Sequence, residues 1–128
     1  MKNLEPTITE DRRIAAWNSQ DVDAVLDCYT EDLVYRDPNT RGEVKGRENM
    51  RRYLRKLFAS WNMHWSLREV LPLANVEGSA ALWHASFRRG PGGETVEVDG
   101  MDLVLLEGER ISRNEVYFDR ALLAALIP

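Results

Sequence analysis

Cysteine is almost missing: Cys28 stands alone among 128 residues. No disulfide can form within the chain. With only His64 and His84 for company, no soft metal site of the Cys/His kind is expected. No apolar run approaches the ~18 residues a membrane span needs. Residues 1–13 carry no apolar stretch behind a basic start, so a secretory signal is not expected, and a cytoplasmic protein is. A basic excess is missing too. Lys and Arg number 17 against 21 Asp and Glu, a net charge of −4, which argues against a nucleic-acid partner. There is no G-x-x-x-x-G-K-[ST] loop and no G-x-S-x-G elbow, and Gly90-Pro91-Gly92-Gly93 reads as a hairpin tip. Cofactor-borne chemistry is therefore not expected. Any chemistry falls to carboxylates, Arg, Tyr, Asn or His.

What remains is an ordinary soluble mixture, 44% hydrophobic and 30% charged. Residues 1–128 make one domain, with no repeat and no linker. Thr7 and Glu10 have capping-box spacing and open a helix running to about Ser19. On it Ile14 and Trp17 share a face with Arg13. Val22, Val25, Leu26 and Tyr29 predict a second, short helix after Asp21. Leu33 to Asp37 is strand-like and stops at the turn Asp37-Pro38-Asn39.

The third helix is the clearest. After Gly46, an inward stripe of Met50, Tyr53, Leu54, Leu57, Phe58 and Trp61 is set against a basic face of Arg51, Arg52, Arg55 and Lys56, read as solvated. The period then falls to 2. Strands are predicted over 64–73, 81–88, 95–107 and 111–118, and a short helix over 120–126 capped by Asp119. Gly100 suits a bend or bulge. Helices leading into a meander make an α+β fold. Its sheet curves over three leading helices, leaving an apolar cone, the usual shape of a small-molecule site.

Several motifs fit one family. They are Ala15-Ala16-Trp17-Asn18-Ser19-Gln20-Asp21-Val22-Asp23, Leu33-Val34-Tyr35-Arg36-Asp37-Pro38 and Gly46-Arg47-Glu48-Asn49. Gly100-Met101-Asp102-Leu103-Val104 and Glu115-Val116-Tyr117-Phe118-Asp119 follow. Together, over nearly the whole chain, they resemble the nuclear transport factor 2-like superfamily, which includes SnoaL-like and ketosteroid isomerase-like domains. The resemblance implies a cone-shaped, cystatin-like fold with a strongly curved, mostly antiparallel sheet. It also implies a dimer through the outer sheet face.

In ketosteroid isomerase-like proteins, Asp37 would match the general base and Asp102 a protonated oxyanion donor. Arg13 stands where they carry a Tyr. The catalytic acids of limonene epoxide hydrolase-like proteins would fall on Trp83-His84-Ala85 and Val116, which excludes that activity here. The last-strand acid of polyketide cyclases also falls on Val116.

Each candidate has a plainer reading. Asp37 can be a turn cap, and Asp102 a paired structural acid. As catalytic groups they would divide base and acid roles through separated proton affinities. Arg13 either snorkels to solvent or enters the cone, where it would favour a carboxylate-bearing ligand. Trp17, Tyr53, Trp61, Trp65 and Trp83 are core or cavity wall, and Asn114 a polar tip on the same side as Val116 and Phe118. His84 points to the outer face, and Cys28 is core.

The sequence thus predicts a site of Asp37 and Asp102 with Arg13, Trp17, Tyr53, Trp61, Trp83 and Asn114 as substrate contacts, and a small hydrophobic ligand. The expected function is cofactor-free acid–base chemistry on a carbonyl compound, isomerase- or cyclase-like. The alternative is a non-catalytic binding or dimerisation module.

Overall fold

The structure is a computed structural model and describes residues 4–124 and residue 126. Helix α1 (Leu4–Ser19) and short α2 (Val22–Leu26) lead. They are followed by β1 (Tyr29–Arg36), β2 (Val44–Lys45) and α3 (Arg47–Ser60). The long strands β3 (Asn62–Pro72), β4 (Gly78–Arg88), β5 (Thr95–Glu107) and β6 (Arg110–Tyr117) come next, with α4 (Ala121–Ala124) last. Among the described residues no helix is long and apolar enough to cross a membrane.

The six strands form one curved sheet in the order β2-β1-β6-β5-β4-β3. β1 and β6 run parallel, and the other neighbours are antiparallel. The last strand therefore returns to the middle of the sheet. There Asn114 lies between Tyr35 of β1 and Val104 of β5.

Local chemistry explains most boundaries. Gln20 takes a left-handed φ of 52° and stops α1. Its side chain then reaches across to the Met63 amide and the Trp61 carbonyl, fixing α1 to the start of β3. The Asp21 carboxylate accepts the Asp23 and Ala24 amides and starts α2. Gly46, at φ 82°, precedes α3 where a side chain would be strained. Met50 and Leu54 of α3 are fully buried, whereas Arg52, Arg55 and Lys56 are exposed on the solvated face.

Four expectations are corrected. Thr7 lies inside α1, which begins at Leu4, so Glu10 is not a capping residue. Tyr29 leaves the second helix and opens β1, because pairing with Ile111 on β6 outweighs local helical spacing. β2 was not foreseen, since two residues are too few to show alternation. Gly100 is not a bulge: the β4–β5 register runs unbroken through Trp83 and Gly100. Its missing side chain instead admits the Trp83 ring, which would lie 2.4 Å from a Cβ there.

The core forms two buried groups. One joins α1, α2, α3 and β1 around Trp17, Tyr29, Leu33, Met50 and Leu54. The other gathers Trp61, Met63, Trp83, Ala85, Phe87, Val98 and Leu123. Leu57, Phe58, Trp65 and Val116 pack against both, and the space between the groups holds the cavity described next.

Candidate functional site

Strand parity and helix pitch send polar groups from α1, β5 and β6 into the same apolar interior. Arg13 is 4% exposed and Asp102 1%. An isolated charge there would be costly, so both are paired. Arg13 Nη1 lies 2.8 Å from Asp102 Oδ2, and Arg13 Nη2 lies 2.6 Å from Glu10 Oε1. Asp102 also accepts a hydrogen bond from Trp83 Nε1 at 2.7 Å and from Asn114 Nδ2 at 3.1 Å. The donors continue outward from Asn114. Its Oδ1 accepts from the Tyr29 hydroxyl at 2.7 Å, and that hydroxyl accepts from Trp17 Nε1 at 3.2 Å. The network satisfies every buried polar group it contains, as a low-dielectric interior requires.

Burial alone works against the Arg13 charge. Asp102 and then Glu10 outweigh it and push the guanidinium pKa well above its ordinary value. Burial pushes the Tyr29 phenol up as well, so it acts as a neutral relay of hydrogen bonds between Trp17 and Asn114.

The second polar group sits where β1 ends. Tyr35 and Asp37 are two residues apart and so share a face of the chain. The Tyr35 hydroxyl donates to Asp37 Oδ2 at 2.6 Å, and the Tyr53 hydroxyl of α3 donates to the same oxygen. The other oxygen, Oδ1, accepts the Asn39 and Thr40 amides at 2.7 and 3.1 Å. Asp37 is thus both the turn residue and a carboxylate clasped by two phenols. Burial and the neighbouring Asp37 charge raise the pKa of both phenols, so they remain donors.

Both groups open onto one cavity. It spans about 530 Å³ of empty space, the open solvent at its mouth included. Its polar lining is Arg13, Tyr35, Asp37, Asn39 and Asp102. Trp17, Trp61, Trp65, Phe87 and Phe118 supply aromatic walls, with Ile14, Leu57, Met63, Val116 and Leu123 between them. The rings brace one another, Trp17 on Trp65 at 5.6 Å and Phe87 on Phe118 at 5.7 Å between centroids.

The site residues read from the sequence therefore divide. Asp37, Asp102, Arg13, Trp17 and Trp61 line the cavity. Tyr53, Trp83 and Asn114 stand behind it, each holding one of the two carboxylates. Arg13 turns inward rather than snorkelling, because two buried acids hold it. Asp102 receives a hydrogen-bond donor on each oxygen, and Arg13 Nη1 pairs with Oδ2.

Glu10 and Tyr35 were missed. An acid three residues before an inward Arg on a helix was the signal for Glu10, and Tyr35's shared parity with Asp37 was the signal for Tyr35. His84 lies on the opposite face, where hydrogen bonds from its ring to the Asp99 and Glu97 carboxylates raise its pKa. Among the described residues no three His, Cys, Asp or Glu side chains converge as metal ligands would.

Comparison with known proteins fits this architecture. No curated protein matches the sequence. A candidate isomerase from Bacillus subtilis superposes with a TM-score of 0.87 at 12% identity, covering 98% of this chain and 94% of that one. SalBIII, an epoxide hydrolase/cyclase-like enzyme with a role in pyran ring formation in salinomycin, gives 0.82 at 18% identity, over 94% and 96%. A protein of ketosteroid isomerase-like fold from Catenulispora acidiphila, solved with trimethylamine, gives 0.81 at 17% identity, over 92% and 90%. At such identities the likeness shows the fold, that of the nuclear transport factor 2-like and ketosteroid isomerase-like proteins. The sequence profile of the SnoaL-like domain matches residues 11–114, and the chain belongs to the SnoaL-like domain family.

Proposed function

We propose that this protein is a cofactor-free enzyme that moves a proton on the carbon next to a carbonyl group, in a small, largely hydrophobic compound. The observation that supports it most is the meeting of a half-buried carboxylate, Asp37, and a buried guanidinium, Arg13, on one aromatic cavity. Asp37 serves as base. The proton leaves the α-carbon for the carboxylate, the C–H electron pair forms the new C=C bond, and the carbonyl π pair moves onto the oxygen as an enolate. Arg13 commits Nε to Glu10, and Nη1 and Nη2 each have one partner. Its other Nη hydrogens remain for that oxygen. Asp102 and Glu10 position the guanidinium. Return of the proton to another carbon gives an isomerisation; attack of the enolate carbon on a second carbonyl closes a ring, and the proton goes to the new alkoxide oxygen.

One observation favours a second reading, a binding module without turnover. Asp37 already has a donor for each of its lone pairs, two phenols and two amides. As a base it must first exchange one phenol for the substrate's proton. The same fold supports a homodimer, with Leu82, Met101 and Tyr117 aligned across three strands of the outer face. Light scattering on the wild type and on Met101→Glu checks that assembly.

Deuterium uptake in D2O tests the reaction. Small aromatic and polycyclic carbonyl compounds are incubated with the protein and followed by proton NMR. Catalysed uptake at the α-carbon is expected, falling about 10²- to 10⁴-fold in Asp37→Asn while tryptophan quenching shows that the compound still binds. Binding without uptake, or uptake that survives Asp37→Asn, overturns the enzyme reading.

A further inference from the structure

An arginine in a ligand cavity suggests an anionic ligand. The geometry here points the other way. The Arg13 guanidinium lies between Glu10 and Asp102, 2.6 and 2.8 Å from their oxygens. One buried cation therefore faces two buried acids, and the cluster as a whole carries a formal negative charge. Asp37 adds a further carboxylate at the mouth, partnered only by neutral donors. Asp37 and Asp102 thus line the void with Arg13, two formal negative charges against one positive, and Glu10 adds a third negative charge behind Arg13. Two outer cations touch residues of the lining. Arg120 donates to Asn39, and Arg89 sits over the Trp61 ring at 5.3 Å from its centroid. Neither lines the cavity, and both are exposed and screened by water.

The walls carry the same preference. Trp17, Tyr35, Trp61, Trp65, Phe87 and Phe118 line the space. The faces of such rings are negative and attract cations, most strongly where water is excluded. The Arg89–Trp61 contact shows one of these rings already holding a cation.

We propose that the cavity selects ligands bearing a protonated or quaternary amine and disfavours carboxylates. The proposal rests on the reading of this cavity as the working site and names its substrate class: a carbonyl compound with a cationic amine. The amine sits among the rings near Asp37, and the carbonyl oxygen takes the remaining Nη hydrogens of Arg13.

Three probes of one shape test it by tryptophan quenching and calorimetry on the full chain: phenyltrimethylammonium, its uncharged carbon analogue tert-butylbenzene, and benzoate. The ammonium is expected to bind at least about tenfold tighter than the neutral analogue, with benzoate weakest. In Asp37→Asn the ammonium preference should fall at least about threefold, with the circular dichroism spectrum unchanged. The wild-type ranking stands as a test even if that variant folds poorly. Equal binding of ammonium and neutral analogue, or tightest binding of benzoate, overturns the proposal. Neutral ketones that exchange deuterium without any ammonium preference remove this inference and leave the reaction. An ammonium preference without deuterium uptake does the reverse.

Discussion

The cavity has a floor and a mouth, each built around an aspartate, and the two are held in opposite ways. At the floor, Asp102 is 1% exposed and meets a guanidinium, an indole N–H and an amide. At the mouth, Asp37 is half-buried and meets no cation, only phenols and backbone amides. A buried ion pair is a poor source of net stability but a strong constraint, since removing one partner strands the other. A half-buried carboxylate held by neutral donors can exchange them for a ligand at little cost to the fold. The floor fixes the Arg13 guanidinium in place, and the mouth holds the carboxylate that can exchange its partners.

The largest expected effect breaks the floor. Arg13→Met leaves Glu10 and Asp102 buried without a cation and should cost about 3–5 kcal/mol in urea unfolding. Adding Glu10→Gln and Asp102→Asn should recover part of that loss, because the stranded charges go with them. If the triple variant is no more stable than Arg13→Met, the loss came from packing and not from charge.

A smaller effect tests how the floor is aimed. Gly100→Ala places a methyl group against the Trp83 ring and the Tyr117 carbonyl. A shift of that ring pulls Nε1 from Asp102, and we expect about 1–3 kcal/mol of destabilisation. An unchanged unfolding midpoint would show that the ring has room to move.

The mouth has a pH signature. Tyr35 and Tyr53 have pKa values raised above the ordinary 10, first by burial and then by Asp37. Their contribution to stability is whole below pH 10 and is lost as pH rises toward their folded values. Near-ultraviolet absorbance should therefore show these phenols ionising later in the folded protein than in urea. Tyr53→Phe should remove one late phenol and make the alkaline loss of stability shallower. Identical titration curves for folded and unfolded protein would remove the clasp from the account.

The smallest effect lies outside the cavity. Asp99 and Glu97 raise the His84 pKa above its ordinary 6.5. The stability it contributes is complete below that value and lost as pH rises through the folded one. His84→Ala should flatten a slight decline in unfolding midpoint across that range and leave ligand binding unchanged.

Much of this was legible in the sequence, for physical reasons. The alternation of Ala81, Trp83, Ala85 and Phe87 announced an inward strand face, and the stripe from Met50 to Trp61 announced α3. Asp102 stood out as the lone acid in the apolar run from Gly100 to Leu106, and the structure brings it to the same cavity as Asp37. What sequence could not supply was partnership. Glu10 looked like a cap because its spacing from Thr7 is local, whereas its link to Asp102 through Arg13 joins α1 to β5 across the core. Gly100 looked like a bend because its actual neighbour, the Trp83 ring, is on another strand. Asn114 and Trp83 looked like ligand contacts by parity, yet each ends its reach at Asp102.

The most direct test sets the unfolding free energy of Asp37→Asn beside that of Arg13→Met under one set of conditions. The account predicts a loss within about 1 kcal/mol for Asp37→Asn, since Asn keeps an oxygen for the two amides, and several kcal/mol for Arg13→Met. Equal losses, or a larger one at Asp37, would contradict it and make the mouth as much a part of the scaffold as the floor.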